Sequence, residues 1–297
     1  MSTRAKSSPA VQLTPTLLRG WPLPGGGSGK DDRGSVLVVG GARKTPGAAL
    51  LAGVAALRSG AGRLTLAVAE STAVQLAVAF PESGVVGLPE TGHGSVKGSG
   101  ASLLADEASA ADAILVGPGL DDKDETLSLL RGLLPPGRSQ PKRGPAVVLD
   151  AYALGCLPEL AEEVQPWAGR LILTPNVTEG GILLGRDLED LQQDVPRIAD
   201  KYQAVVSCQG VIAEPGGSLW EITTGHSGLG TSGSGDVLAG AIAGLRARGT
   251  TDAQAACWGS HLHAAAGDRL ASRLGGLGYL ARELCDELPA LMVELSS

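Results

Sequence analysis

The sequence predicts an α/β fold in three αβα layers, a mostly parallel central sheet with helices on both faces. Three observations carry this. Runs such as Ser35–Val39, Pro145–Asp150 and Ala204–Cys208 are apolar without alternation, as strands buried on both faces must be. Between the strands lie Ala- and Leu-rich stretches of helical length, so the chain reads strand, helix, strand for most of its course. Hydrophobic residues make up 43% of 297 residues, yet only 3% are aromatic and 44 are glycine. Such a core is built from Ala, Val, Leu and Ile, and its helices can lie close on the sheet.

Residues 1–33 are rich in Ser, Thr, Pro and Gly and read as a flexible arm. Its Gly29-Lys30 pair has neither a following Ser or Thr nor a flanking strand and helix, so it is no Walker loop. Residues 34–297 read as one domain. Its first strand is Ser35–Val39; a Gly-rich loop leads to a helix over Ala48–Ser59, closed by Gly60, and Arg63–Ala69 returns as a strand. Ser71–Ala79 reads as a short helix, Gly84–Leu88 as a strand and 89–100 as an exposed loop containing His93.

Asp112–Leu120 is a strand running into a Gly117-Pro118-Gly119 turn, and Thr126–Leu134 is a helix. Pro145–Asp150 and Arg170–Pro175 are strands, with a helix from Gly180 after the second. Ala204–Cys208 is a strand, and 211–222 a hairpin around Pro215-Gly216-Gly217. A long helix spans Asp252–Leu274, and Leu280, Leu284, Leu288 and Leu291 mark one face of a last helix over Gly278–Leu295.

The stretch with the most chemistry is Gly228-Leu-Gly-Thr-Ser-Gly-Ser-Gly-Asp236, which runs directly into the helical pattern of Val237, Leu238, Ala241, Ile242 and Leu245. A glycine-rich loop opening a helix presents bare N–H groups and the positive end of the helix dipole, which suits a phosphate. An acid there repels phosphate. Asp236 is therefore either a helix cap or a base, or a water or metal positioner, aimed at a group beside the phosphate. Asp150, at a strand end, has a similar choice between capping and orienting a substrate or a hydrated magnesium.

Gly233-Ser-Gly-Asp-Val-Leu-Ala-Gly240 resembles the C-terminal signature of the ribokinase-like superfamily. More narrowly, it is similar to the NAD(P)H-hydrate dehydratase family, the carbohydrate-kinase-related half of the bifunctional nicotinamide-nucleotide repair proteins. Four more stretches resemble family signatures in the family's order: Gly41–Ala48 with Arg58–Gly62, Gly117–Leu120, Asp150–Leu154 and Thr174–Glu179. The resemblance covers nearly all of residues 34–294. Departures are Asp121 for a glycine, Tyr152 for a second acid, Asn176 for a histidine and Gln209 for a lysine. Asparagine hydrogen-bonds but carries no proton near neutral pH, and glutamine lacks the charge a lysine offers phosphate.

The resemblance implies an enzyme that restores NADH or NADPH from its hydrate, NADHX or NADPHX in the S form. ADP or ATP, with Mg2+, phosphorylates the ring hydroxyl and phosphate then leaves. It implies Asp236 as the base, and backbone N–H groups of Gly233, Ser234 and Gly235 around the phosphoryl group. Gln209 would lie near the nucleotide, and Ala48, Gly119, Asn176 and Asp236 would line the hydrate site. No residue is assigned to a metal. His261 and His263, two apart on a helix, do not share a face and read as packing residues. The resemblance also implies a homo-oligomer, typically a tetramer. A small-molecule kinase of the same fold, or a nucleotide-binding homologue without catalysis, remains open beside the dehydratase.

Charge and composition bound the partners. The net charge of −7, from 24 basic and 31 acidic residues, gives no support for nucleic acid or an anionic membrane. No apolar run has membrane-spanning length, and Met1–Pro15 lacks a signal-peptide core. Four scattered cysteines without CxxC spacing read as reduced thiols of a cytoplasmic protein.

Overall fold

The structure is a computed structural model and describes residues 9–135, 144–225 and 227–296. The chain begins with β1 (Val11–Gln12) and α1 (Pro15–Arg19). It then alternates through β2 (Ser35–Val39), α2 (Pro46–Arg58), β3 (Arg63–Ala69), α3 (Glu70–Ala79), β4 (Gly84–Leu88), α4 (Ala105–Ala110), β5 (Ala113–Val116) and α5 (Lys123–Leu133). Next come β6 (Ala146–Leu149), α6 (Tyr152–Cys156), β7 (Leu171–Leu173), α7 (Val177–Leu184), α8 (Leu191–Tyr202) and the strands β8 (Val205–Cys208), β9 (Val211–Ala213) and β10 (Leu219–Glu221). Three helices close the chain: α9 (Ser234–Ala247), α10 (Asp252–Leu274) and α11 (Ala281–Ser296).

The α/β fold with a mostly parallel sheet forms. Ten strands lie in the order β1-β10-β9-β8-β7-β6-β5-β2-β3-β4. Strands β2 to β8 pair in parallel, whereas β9 is antiparallel to both β8 and β10. Successive side chains of each strand enter opposite cores. Val36 and Val38 join the core under α2, α9, α10 and α11; Leu37 and Val39 join the one under α5 to α8. From β2 the chain winds to β3 and β4 on one side, then from β5 to β8 on the other. The winding reverses between β2 and β5, and in such sheets ligands bind beyond the carboxyl ends at the reversal.

Helix starts shift where caps decide them. Pro46 opens α2, the Asp122 carboxylate caps α5 through the Glu125 N–H, and Asn176 caps α7. Each helix therefore begins two or three residues before the position expected from its apolar pattern. The helix α8 falls in a stretch to which the sequence reading gives no element. The loop 89–100 is only partly exposed: Glu90 bridges to Val96, and Ser95 and Val96 are buried.

The flexible-arm reading of residues 1–33 needs correction. Residues 1–8 lie outside the described residues, but from residue 9 the segment is docked. Val11 and Gln12 pair in parallel with Trp220 and Glu221, and Leu13 and Leu18 are buried. Trp21 stacks on Trp220, with centroids 6.1 Å apart, and its carbonyl accepts from Trp258 Nε1 at 2.9 Å and Gln254 Nε2 at 3.0 Å. A few large apolar side chains hold a segment whose composition alone reads as coil.

Candidate functional site

Loops from five strand ends and the start of α9 bound the carboxyl edge of the sheet. At the reversal of winding, the loops after β2 and β5 are tied together: Gly41 N–H donates to Pro118 O and Ala42 N–H to Gly119 O, each at 2.8 Å. Thr45 Oγ1 also donates to Gly119 O at 2.8 Å. Gly119 has φ +72°, and a Cβ there would lie 2.4 Å from Thr45 O and 3.1 Å from Ala48 Cβ. Only glycine fits, so the structure brings Ala48 and Gly119, two candidate substrate residues, into one wall.

Beside this wall stand the ends of β6 and β7. Asp150 is 5% exposed and accepts from Thr174 Oγ1 at 2.7 Å. Burial drives its proton affinity far above the usual carboxylate range; the Thr174 bond opposes this, and the Asp236 charge adds to it. The Asp236 charge thus reaches Asp150 across the site. The residue after Asp150, Ala151, has φ +48° and ψ −121°, a strained backbone for a residue with a Cβ. Asn176 follows β7 and forms a capping box with Glu179, whose carboxyl burial shifts upward. The Asn176 side-chain oxygen is committed to that cap, which leaves its amide N–H pair for the site.

Gln209 and Gly210 link β8 to β9. Cys208 pairs with Val211, and both linking residues have positive φ, +48° and +82°, as in a type I′ hairpin turn. The Gln209 side chain is exposed at this tip. The sequence shows the shortened loop, and the turn explains it.

The glycine-rich stretch meets α9 as a helix start without a side-chain cap. Gly233 is the N-cap at φ +89°, and no side chain bonds to the helix from that position. A Cβ on Gly233 would meet Leu51 Cδ1 at 2.5 Å, whereas one on Gly235 meets nothing within 4 Å. Open space therefore lies over Gly235. The Ser234 N–H, expected to face the phosphoryl group, is instead spent on Thr231 O at 3.2 Å, and the Ser234 side chain lies 2.8 Å from His263 Nε2. Among the described residues, the N–H groups of Gly235 and Asp236 have no partner, so the helix end is free to receive an anion. Asp236 is part-buried and burial pushes its carboxyl up to about 6. It does not cap its own helix; the capping alternative loses its basis.

The structure thus ranges Ala48, Gly119, Asn176, Gln209 and Gly233–Asp236 along one edge of the sheet. It adds Thr174 as the partner of Asp150, Glu179 as the partner of Asn176, and His263 as the partner of Ser234. The adjacency of Thr174 and Glu179 to the strand end was the available signal for the first two. His263 has none, being 29 residues from Ser234. A cavity of about 380 Å³ opens at the opposite, amino edge, lined by Asp31, Arg63, Glu107 and Asp112 among others. There Arg63 pairs with Asp31, and Asp112 accepts from Ser35, so these three charged groups have structural partners. No helix among the described residues is long and apolar enough to cross a membrane.

Comparison with known proteins bears on the fold and the family. Residues 36–290 match the family described as NAD(P)H-hydrate dehydratase. The chain is 42% identical over 290 residues to an ADP-dependent (S)-NAD(P)H-hydrate dehydratase of Xanthomonas campestris, covering 95% of this chain and 96% of that one. It is 39% identical over 269 residues to a bifunctional NAD(P)H-hydrate repair enzyme of Moorella thermoacetica, of which it spans 50%. The crystal structure of the ADP/ATP-dependent NAD(P)H-hydrate dehydratase of Bacillus subtilis, grown with ATP and Mg2+, superimposes with a TM-score of 0.76 at 27% identity. The match covers 97% of this chain and 100% of that one. The chain belongs to the NAD(P)H-hydrate dehydratase family.

Proposed function

We propose that this protein restores NADH or NADPH from the S form of its hydrate, with ADP or ATP as phosphoryl donor. The observation that carries this reading is the uncapped start of α9, with two unpartnered N–H groups and the part-buried Asp236 carboxylate beside them. A nucleotide phosphate fits the open space over Gly235. Asp236 takes the proton of the ring hydroxyl as its oxygen attacks the terminal phosphorus and the bond to the departing nucleotide breaks. With a pKa of about 6, Asp236 is ionised at neutral pH and still basic enough to accept that proton.

The Gly235 and Asp236 N–H groups face the charge that develops on the phosphoryl group. Phosphate then leaves the ring with the electron pair of the C–O bond, and loss of a proton from the neighbouring ring carbon restores the double bond. Ala48, Gly119 and Asn176 line the hydrate side and Gln209 the nucleotide side. The Asn176 amide is suited to orient the hydrate and unsuited to exchange a proton with it.

Among the described residues no group of three or more His, Cys, Asp or Glu is arranged to hold a metal ion. Mg2+ is bound in such enzymes through nucleotide phosphates, waters and one or two carboxylates. Asp150 at the end of β6 would be such a carboxylate, its raised proton affinity reversed by the cation, and the ion would neutralise phosphate charge.

The test is absorbance at 340 nm with NADHX or NADPHX, magnesium, and ADP or ATP in parallel. A rise that requires nucleotide and vanishes in Asp236→Asn supports the reading. Folded protein that binds ADP and gives no rise overturns it, in favour of a kinase of another substrate or a binder without turnover.

A further inference from the structure

Ser234 sits between two glycines at the start of α9, yet its side chain turns away from the open space beside them. Its hydroxyl lies 2.8 Å from Nε2 of His263 on α10. Both residues are buried, at 4% and 8% exposure. The contact belongs to a row along α10 spaced one turn apart. One turn before His263, a Cβ on Gly259 would lie 2.6 Å from Ile242 Cγ1 of α9; one turn after, a Cβ on Gly267 would lie 2.7 Å from Leu229 of the glycine-rich stretch. The same face of α10 thus braces the body of α9, its first residue and the loop that leads into it. Burial lowers the His263 pKa to about 4, so its imidazole joins Ser234 in neutral form, with one donor and one acceptor nitrogen.

Both polar groups of Ser234 are therefore spent inside the protein: the N–H on Thr231 O and the hydroxyl on His263. We propose that His263 is a positioning residue for the phosphoryl transfer, acting through Ser234 to fix the first turn of α9. That turn carries the unpartnered Gly235 and Asp236 N–H groups and the Asp236 carboxylate. Held in one orientation, these groups meet the developing charge without reorganising. The inference rests on the function proposed above. A mere packing role, as the sequence suggests, makes a different prediction: an apolar side chain of similar size would then leave turnover per folded molecule intact.

The experiment compares wild type, His263→Leu, His263→Gln, Ser234→Ala and the double variant Ser234→Ala/His263→Leu. Nucleotide-dependent turnover of NADHX, ADP affinity and thermal unfolding are measured for each. His263→Leu and Ser234→Ala each lower kcat about 10- to 100-fold with ADP affinity held within about threefold, the scale expected when a catalytic array is misplaced. His263→Gln restores most of the loss, because its amide reaches the place of Nε2. The double variant is no slower than the slower single one, because one contact is removed from either side.

Wild-type kcat in a folded His263→Leu, losses that multiply in the double variant, or a Gln variant no better than Leu overturns the proposal. Ser234→Ala carries the test if His263→Leu does not fold, since it removes only a hydroxyl. A wild type that binds ADP without turnover brings down the dehydratase reading and this proposal together. Wild-type turnover with an unaffected His263→Leu overturns this proposal alone.

Discussion

Asn176 and Glu179 cap each other at the start of α7. The Asn176 oxygen accepts the Glu179 N–H and the Glu179 carboxylate accepts the Asn176 N–H, both at 2.9 Å. Asn176 is therefore used structurally, and the asparagine satisfies the helix end in its own right.

The two roles of Asn176 separate by substitution. Asn176→Ala removes the cap and costs about 0.5–2 kcal/mol of stability, read from urea unfolding. Asn176→Asp keeps a capping oxygen and stays near wild-type stability, but it lacks the amide N–H pair. Its KM for the hydrate rises while stability holds. An Asp variant with unchanged KM would leave Asn176 with the cap alone.

As the proposed base, Asp236 should set the acid limb of activity. Burial pushes its carboxyl up to about 6, and only the ionised form accepts a proton. Turnover at low substrate should fall about tenfold per pH unit below that value and level off above it. Stability moves the other way. The folded pKa is raised from 3.8 to about 6, so the folded protein holds this proton more tightly than the unfolded chain. The stability this group contributes is full below about pH 4 and is lost as pH rises through 6. Asp236→Asn is therefore inactive yet gains stability over wild type, more at pH 8 than at pH 5, in paired thermal scans.

Gly235 and Gly240 separate binding from packing within one helix. A Cβ on Gly240 would lie 2.1 Å from the Ala52 carbonyl of α2, a backbone atom that cannot turn aside. Gly240→Ala forces α2 and α9 apart and costs about 1–3 kcal/mol or more in denaturant unfolding. A Cβ on Gly235 meets nothing. Gly235→Ala leaves the fold as stable as wild type, but its methyl stands in the space proposed for the nucleotide phosphate. Nucleotide KM should rise while the unfolding midpoint stays. An unchanged KM would move the phosphate elsewhere.

Strands were legible because burial on both faces leaves a continuous apolar run, and one such run suffices. The glycine-rich start of α9 was legible because a helix end exposed to a ligand needs small residues in sequence. Contacts between distant segments left no such trace. Ser234 and His263 meet because α10 crosses α9, and neither has a neighbour in sequence that announces it. The helix α8 shows Leu191, Val195, Ile198 and Tyr202 on one face, but Pro196 interrupts the pattern. The strain at Ala151 and the type I′ turn at Gln209 arise from tight connections whose backbone angles composition does not encode.

The docked N-terminal segment gives the last prediction. Leu18 lies in a helix of only five residues, which could not persist unsupported in water. Its side chain is 0% exposed, within the core that α9, α10 and α11 share. A free arm would make Leu18→Ala neutral. A docked one makes it a core truncation costing about 2–5 kcal/mol in denaturant unfolding. The same change should expose the Trp21–Trp220 stack and shift tryptophan emission to the red. The segment lies against α10, whose Gln254 and Trp258 donate to the carbonyl of Trp21, while His263 lies further along the same helix. Loosening the segment should therefore lower stability before it lowers kcat, because the contacts it loses stand at the N-terminal part of α10. A Leu18→Ala variant of wild-type stability would mean that residues 9–33 do not hold this position in solution.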